Sequence, residues 1–190
     1  MSTAYDHGRD LCLSFWKQAL DNAWIYFPQH ARVLEIGCAE ADWQTPMLAI
    51  RPDLQIVGID WRKVERPGVQ TIKGNVMDAS LFEPESFDAV VSISAIEHVG
   101  LGAYEKDPLD ARGDIRAMQN AYRWTKPGGW MYLDVPYADQ GPLLCYQTYR
   151  RYSDQAIHER LLQGWKPGKA AKCECGHPDS PYMALLLRKV

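Results

Sequence analysis

The stretch Val33-Leu34-Glu35-Ile36-Gly37-Cys38-Ala39-Glu40-Ala41 constrains this chain more than any other. Val33, Leu34 and Ile36 form a short apolar, partly β-branched run, as expected of a central parallel strand buried on both faces. Gly37 stands where the strand ends. Glycine permits a sharp bend there, and the missing side chain lets the backbone come close to a ligand. Ala39 and Ala41 keep the turn that follows open.

The same alternation of apolar runs and periodic segments continues along the chain. Asp42 to Ile50 predicts a helix facing the turn, with Pro46 in its first turn. Gln55 to Asp60, Val69 to Lys73 and Ser86 to Ser94 read as three further strands. From Asp114, the spacing of Ile115, Met118, Ala121 and Tyr122 predicts a helix ending before Pro127, and Trp130 to Val135 a fifth strand. Ser153 caps a helix through about Leu162, and Lys169 to Cys175 with Tyr182 to Val190 make a closing antiparallel hairpin. Ahead of all this, Leu11, Leu13, Phe15, Trp16, Leu20, Trp24 and Phe27 recur at helical spacing, while Tyr5 and His7 read as a mobile end. The 190 residues suit one α/β domain with a sizeable core.

Composition removes several classes of function. Lys+Arg 21 against Asp+Glu 24 leaves a net charge of −3, which disfavours nucleic acid as a partner. There is no basic stretch followed by an apolar one at the start, and no apolar run of the ~20 residues that span a membrane. Five scattered cysteines argue against a disulfide framework and for a reducing, cytoplasmic setting. Cys173-x-Cys175-x-His177 offers three ligands at most, short of the tetrahedral set zinc prefers. Seven Trp and ten Tyr serve either core packing or an aromatic-lined substrate pocket.

Asp60 ends the second strand 25 positions after Glu35, near the ~20-residue spacing of a carboxylate that accepts from both ribose hydroxyls. Together with Glu35-x-Gly37, Phe87-Asp88 followed by Glu97-His98, and Lys126-Pro127-Gly128-Gly129, it makes an ordered set of four landmarks. In that order the set resembles the class I S-adenosylmethionine-dependent methyltransferases, and the resemblance covers essentially the whole chain. It implies a single Rossmann-like domain over 1–190 with a seven-stranded sheet in the order 3-2-1-4-5-7-6, strand 7 antiparallel and helices on both faces. Residues 1–28 would form a helical cover, and 99–113 and 136–152 the substrate-side loops. The run from Glu97 to Asp110 also resembles a loop of an uncharacterised methyltransferase-like family.

The resemblance implies S-adenosyl-L-methionine as cofactor. Glu35, Gly37, Cys38, Ala39, Asp60, Trp61, Asn75, Val76, Asp78 and Ser94 would bind it, with Glu35 near its amino acid end, Asp60 on its ribose, and Asn75 with Val76, or Asp78, on its adenine. The family's Gly-x-Gly-x-Gly is reduced here to Gly37, with alanine at the other two places. Two readings stay open: a slightly wider working turn, or a non-catalytic relative whose cofactor site has decayed.

Methyl transfer to oxygen or nitrogen asks the protein to align, desolvate and, where needed, remove a proton. His98 is the candidate base or orienting residue, since imidazole accepts protons near neutrality. Tyr104 and Tyr137 are candidate contacts to a small-molecule acceptor. Some related enzymes carry Glu-x-x-Glu-His at this place and bind a divalent ion. Ser94 replaces the first carboxylate here, so no metal site is expected.

Overall fold

Arg32–Ile36 forms β1 at the centre of the sheet because neither of its faces tolerates water. Val33 joins Met47, Ile56 and Val91 on one side, while Leu34 and Ile36 join Val57, Met118 and Trp124 on the other. The computed structural model describes residues 27–39, 44–102, 104, 108–145, 148–173 and 181–190. The expected helix over 9–27 lies, but for Phe27, outside the described residues, as do Tyr5, His7, Glu40, Ala41, Asp107, Cys175 and His177.

Around β1 stand β2 (Gln55–Asp60), β3 (Gln70–Lys73), β4 (Phe87–Ile93) and β5 (Thr125–Pro136), all parallel. Two more pairs follow: β6 (Leu143–Cys145) with β7 (Tyr149–Arg151), and β8 (Lys166–Cys173) with β9 (Tyr182–Arg188). The large sheet runs β3-β2-β1-β4-β5-β9-β8, with β9 antiparallel to β5. With the separate β6–β7 ribbon set aside, this is the expected 3-2-1-4-5-7-6 arrangement. Helix α1 (Gln44–Ile50) supplies Met47 to one face and α2 (Gly113–Trp124) supplies Met118, Ala121 and Trp124 to the other. On the second face Phe82 meets Phe87 and Trp124 edge-on, both at 5.0 Å between centroids.

Two expectations need correction. First, β5 begins at Thr125, before the Pro-Gly-Gly segment rather than after it. The register steps from Phe87↔Thr125 to Ala89↔Trp130, so Lys126 to Gly129 is an irregularity inside the strand. It is held from both sides: Lys126 Nζ donates to Asp88 Oδ1 at 2.7 Å and Gly128 N to Lys189 O at 3.0 Å. Second, the Tyr-rich segment 136–152 is not all loop but contains the β6–β7 ribbon.

The helix capped by Ser153 does form, as α3 (Asp154–Ala156) continuing into a π-helical turn (Ile157–Leu161). Buried Asp114, at the start of α2, ties the π-helical turn and the ribbon to that helix. Its carboxylate accepts from Tyr152 Oη at 2.9 Å and from Arg160 at 2.6 and 2.8 Å, and Arg150 Nε lies 3.8 Å away. No helix among the described residues is long and apolar enough to cross a membrane.

Candidate active site

The C-terminal ends of β1, β2 and β4 meet where the strand order reverses, the place at which open α/β sheets bind ligands. Gly37 has φ +84°, and a Cβ added to it would lie 2.4 Å from the Ala95 Cβ. The glycine is therefore required by the close approach of the β1 turn to the end of β4, a constraint internal to the protein. Cys38 is buried, and its sulfur packs against Gly58, where a Cβ would come within 2.7 Å. Arg66 clamps the turn from outside: Nε donates to Cys38 O and Nη2 to Ala39 O, both at 2.9 Å.

Two carboxylates flank this turn. Glu35 is fully buried and accepts a hydrogen bond from Gln44 Nε2, which fixes α1 against β1. Asp60 Oδ2 accepts from Ala39 N at 3.1 Å, and Oδ1 accepts from Arg62 N at 2.9 Å and Arg62 Nε at 3.0 Å. Their joint field registers on the Cys38 thiol, pushed up to about 12 by burial first and then by Glu35 and Asp60. Trp61 follows Asp60, part-buried.

After β3, Asn75 Oδ1 accepts from Met77 N at 3.0 Å, which leaves the second lone pair of that oxygen for another donor. Val76 is buried, and its carbonyl accepts from Asn120 Nδ2 at 2.9 Å. Asp78 is turned to a local task. It accepts from Ser80 N and Oγ, capping the 3-10 turn Ala79–Leu81, and the bonds to Ser80 hold its carboxyl below the usual range.

At the end of β4, Ser94 has φ +45°. Its N–H donates to Asp134 Oδ1 at 2.7 Å, and its Oγ donates to Glu97 Oε1 at 2.5 Å while lying 3.1 Å from Tyr182 Oη. A 3-10 turn, Ile96–His98, then lifts His98 to the rim. His98 Nδ1 lies 2.6 Å from Thr148 O. A carbonyl only accepts, so Nδ1 carries the proton and Nε2 is the basic nitrogen of the neutral ring. The ring centroid is 6.0 Å from Tyr104 and 6.1 Å from Tyr149. The guanidinium of Arg62 lies 4.9 Å from the Tyr104 centroid.

The structure thus joins expected residues His98 and Tyr104 in one aromatic group and adds Arg62, Glu97, Thr148 and Tyr149. The ring of Tyr137 faces Lys172 at 4.8 Å, its N–H donates to Pro181 O, and its carbonyl accepts from Arg151. Arg150, buried on β7, donates to Val99 O at 2.8 Å and Glu97 O at 3.3 Å. It locks the His98 turn against the ribbon.

The sheet, its reversal point and the helices on both faces make this a class I, Rossmann-like methyltransferase fold. The 1,6-didemethyltoxoflavin-N1-methyltransferase of Burkholderia thailandensis, solved with 1,6-didemethyltoxoflavin and S-adenosylhomocysteine, is 18% identical. That match covers 90% of this chain and 76% of that one, with a TM-score of 0.65. The N-methyltransferase NodS of Bradyrhizobium japonicum WM9 is 16% identical over 95% of this chain and 97% of its own, with a TM-score of 0.68. The [4+2]-cyclase SpnF is 14% identical over 84% and 75%, with a TM-score of 0.64, so the fold alone does not fix the reaction. A family model described as "Caenorhabditis protein of unknown function, DUF268" matches residues 75–166. No curated protein matches the chain by sequence.

Proposed function

We propose that the chain is an S-adenosylmethionine-dependent methyltransferase acting on oxygen or nitrogen of a small or medium-sized acceptor. The observation that carries this reading is geometric: the carboxylates of Glu35 and Asp60 flank the β1 turn at the point where the strand order reverses. A nucleotide pyrophosphate would be repelled there, whereas a sulfonium cation is favoured. When bound, S-adenosylmethionine supplies an electrophilic methyl group.

The chain's residues have the chemistry to hold it. Asp60 offers carboxylate oxygens to a vicinal diol, Asn75 a side-chain oxygen and Val76 a main-chain N–H to adenine, and Glu35 with the Gly37 to Ala39 turn the amino acid end. Trp61 and Ser94 border the same crevice, while Cys38 and Asp78 keep their side chains on internal partners. His98 Nε2 is the base or orienting group, and Tyr104 lines the acceptor side with Tyr149. The 99–113 and 136–152 segments form that side of a single domain, and the setting is cytoplasmic. No metal takes part in this reading.

A second reading, a binding protein that keeps the fold without catalysis, draws on Arg62. Its side chain occupies the Asp60 carboxylate that ribose hydroxyls would need. Isothermal titration with S-adenosylmethionine and S-adenosylhomocysteine separates the two. Micromolar binding of either supports the enzyme, and no binding of either overturns it.

A further inference from the structure

We infer that Glu97 is a positioning residue that acts through His98: held by Ser94, its carboxylate faces Nε2 and stabilises the imidazolium formed when the ring takes a proton from the acceptor. The inference rests on the methyltransferase reading and gives it a residue that the landmarks alone leave without a task.

The geometry leaves Glu97 few other partners. Its side chain is fully buried, Oε1 accepts from Ser94 Oγ at 2.5 Å, and Oε2 has no hydrogen-bond partner among the described residues. His98 Nε2 lies 3.9 Å from Oε1, too far for a hydrogen bond but close enough for charges to interact. The other charges nearby are engaged. Arg150, from β7, spends its donors on the carbonyls of Glu97, Val99 and Asp110, with Nε 3.8 Å from Asp114. Arg160, from the π-helical turn, and the Tyr152 hydroxyl both bond Asp114 on α2. From β9, Tyr182 reaches Glu97 only through Ser94, and Asp134 on β5 takes the Ser94 N–H.

Around His98 itself stand the Thr148 carbonyl, the rings of Tyr104 and Tyr149, and, beyond Tyr104, the Arg62 guanidinium bonded to Asp60. Glu97 is thus the carboxylate in contact with the imidazole among the described residues. Thr148 holds Nδ1, so the acceptor's proton goes to Nε2, on the side that Glu97 faces. The proton passes from the acceptor to Nε2 and stays on the ring, and Glu97 in its carboxylate form receives none in the step.

The test follows the His98 ring Cε1–H by NMR across pH, in the unliganded chain and in Glu97→Gln. The signal is assigned by its loss in His98→Asn. Removing the charge should lower the midpoint at which the ring takes its proton by roughly one pH unit. The acid limb of the kcat/KM profile should move the same way, a change that a purely structural role would not produce. Ser94→Ala, which removes the donor but keeps the carboxylate, should move the midpoint in the same direction by a smaller amount, and serves if Glu97→Gln does not fold. An unchanged midpoint in a folded variant overturns the inference. Because the NMR titration needs neither cofactor nor acceptor, it is separable from the methyltransferase reading, which fails instead on absent binding of S-adenosylmethionine and S-adenosylhomocysteine.

Discussion

Arg62 wraps the carboxylate of Asp60, donating from both its own N–H and its Nε to the same oxygen at 2.9 and 3.0 Å. The side chain of Arg62 is 39% exposed, so the ion pair adds little to stability in water. Its effect is on access, since a ribose diol must share or displace it. Arg62→Ala is expected to tighten S-adenosylhomocysteine by roughly three- to tenfold, equivalent to about 1 kcal/mol of one competing hydrogen-bonded contact. Titration calorimetry measures it, and an unchanged or weakened affinity would show that the guanidinium does not compete with the ligand.

Gly37 is a packing requirement as much as a conformational one. Gly37→Ala should lose stability by about 2–4 kcal/mol, combining left-handed backbone strain with the clash against Ala95. Urea denaturation of the pair Gly37→Ala and Gly37→Ala/Ala95→Gly separates the terms. The double variant should recover only part of the loss, and complete recovery would mean that the backbone strain is negligible.

Cys38 should be inert in the folded chain. With the thiol pushed up to about 12, its thiolate fraction at about pH 8 is on the order of 10⁻⁴. Brief iodoacetamide labelling followed by peptide mapping should find Cys38 unmodified before denaturation and modified after it. Rapid native labelling at this position would contradict the buried turn.

Burial raises the Glu97 carboxyl above the usual range, against the opposing pull of His98, Ser94 and Arg150. The folded chain therefore holds this proton more tightly than the unfolded chain. Ionising the group costs stability as pH rises from the unfolded value through the folded one. Glu97→Gln carries no such charge, so its Tm relative to the parent should drift in the variant's favour as pH rises above the ordinary carboxylate range of about 4. Calorimetry across that rise checks the sign. A flat difference would mean that Glu97 titrates alike folded and unfolded.

The central strands were legible because burial on two faces forces apolar, β-branched runs such as those around Val33 and Val90, and turn residues punctuate them. The entry to β5 was not. Pro127, Gly128 and Gly129 read as a break, and only the partners Asp88 and Lys189, distant in sequence, make them part of a strand. The ribbon was hidden for a similar reason, since three-residue strands carry too little alternation to register. At the candidate site, His98 could be singled out from its position beside a strand end and Tyr104 from the long loop that follows. Glu97 appeared only as a landmark, because its coupling to Ser94 depends on a left-handed residue that no local signal announces. Arg62 lay in a polar loop without periodicity, and its role appears only when Asp60 and Tyr104 are brought to either side of it.

The ribbon touches the His98 turn twice, through the Arg150 guanidinium on the carbonyls of Glu97 and Val99 and through the Thr148 carbonyl on Nδ1. The ribbon therefore also sets which nitrogen of the His98 ring is available. Selection for a new acceptor could rework the rest of the ribbon, but only while these two anchors stay in register. Changes of substrate in such a lineage would come as grafts of a whole ribbon carrying its own arginine and carbonyl, not as scattered single replacements.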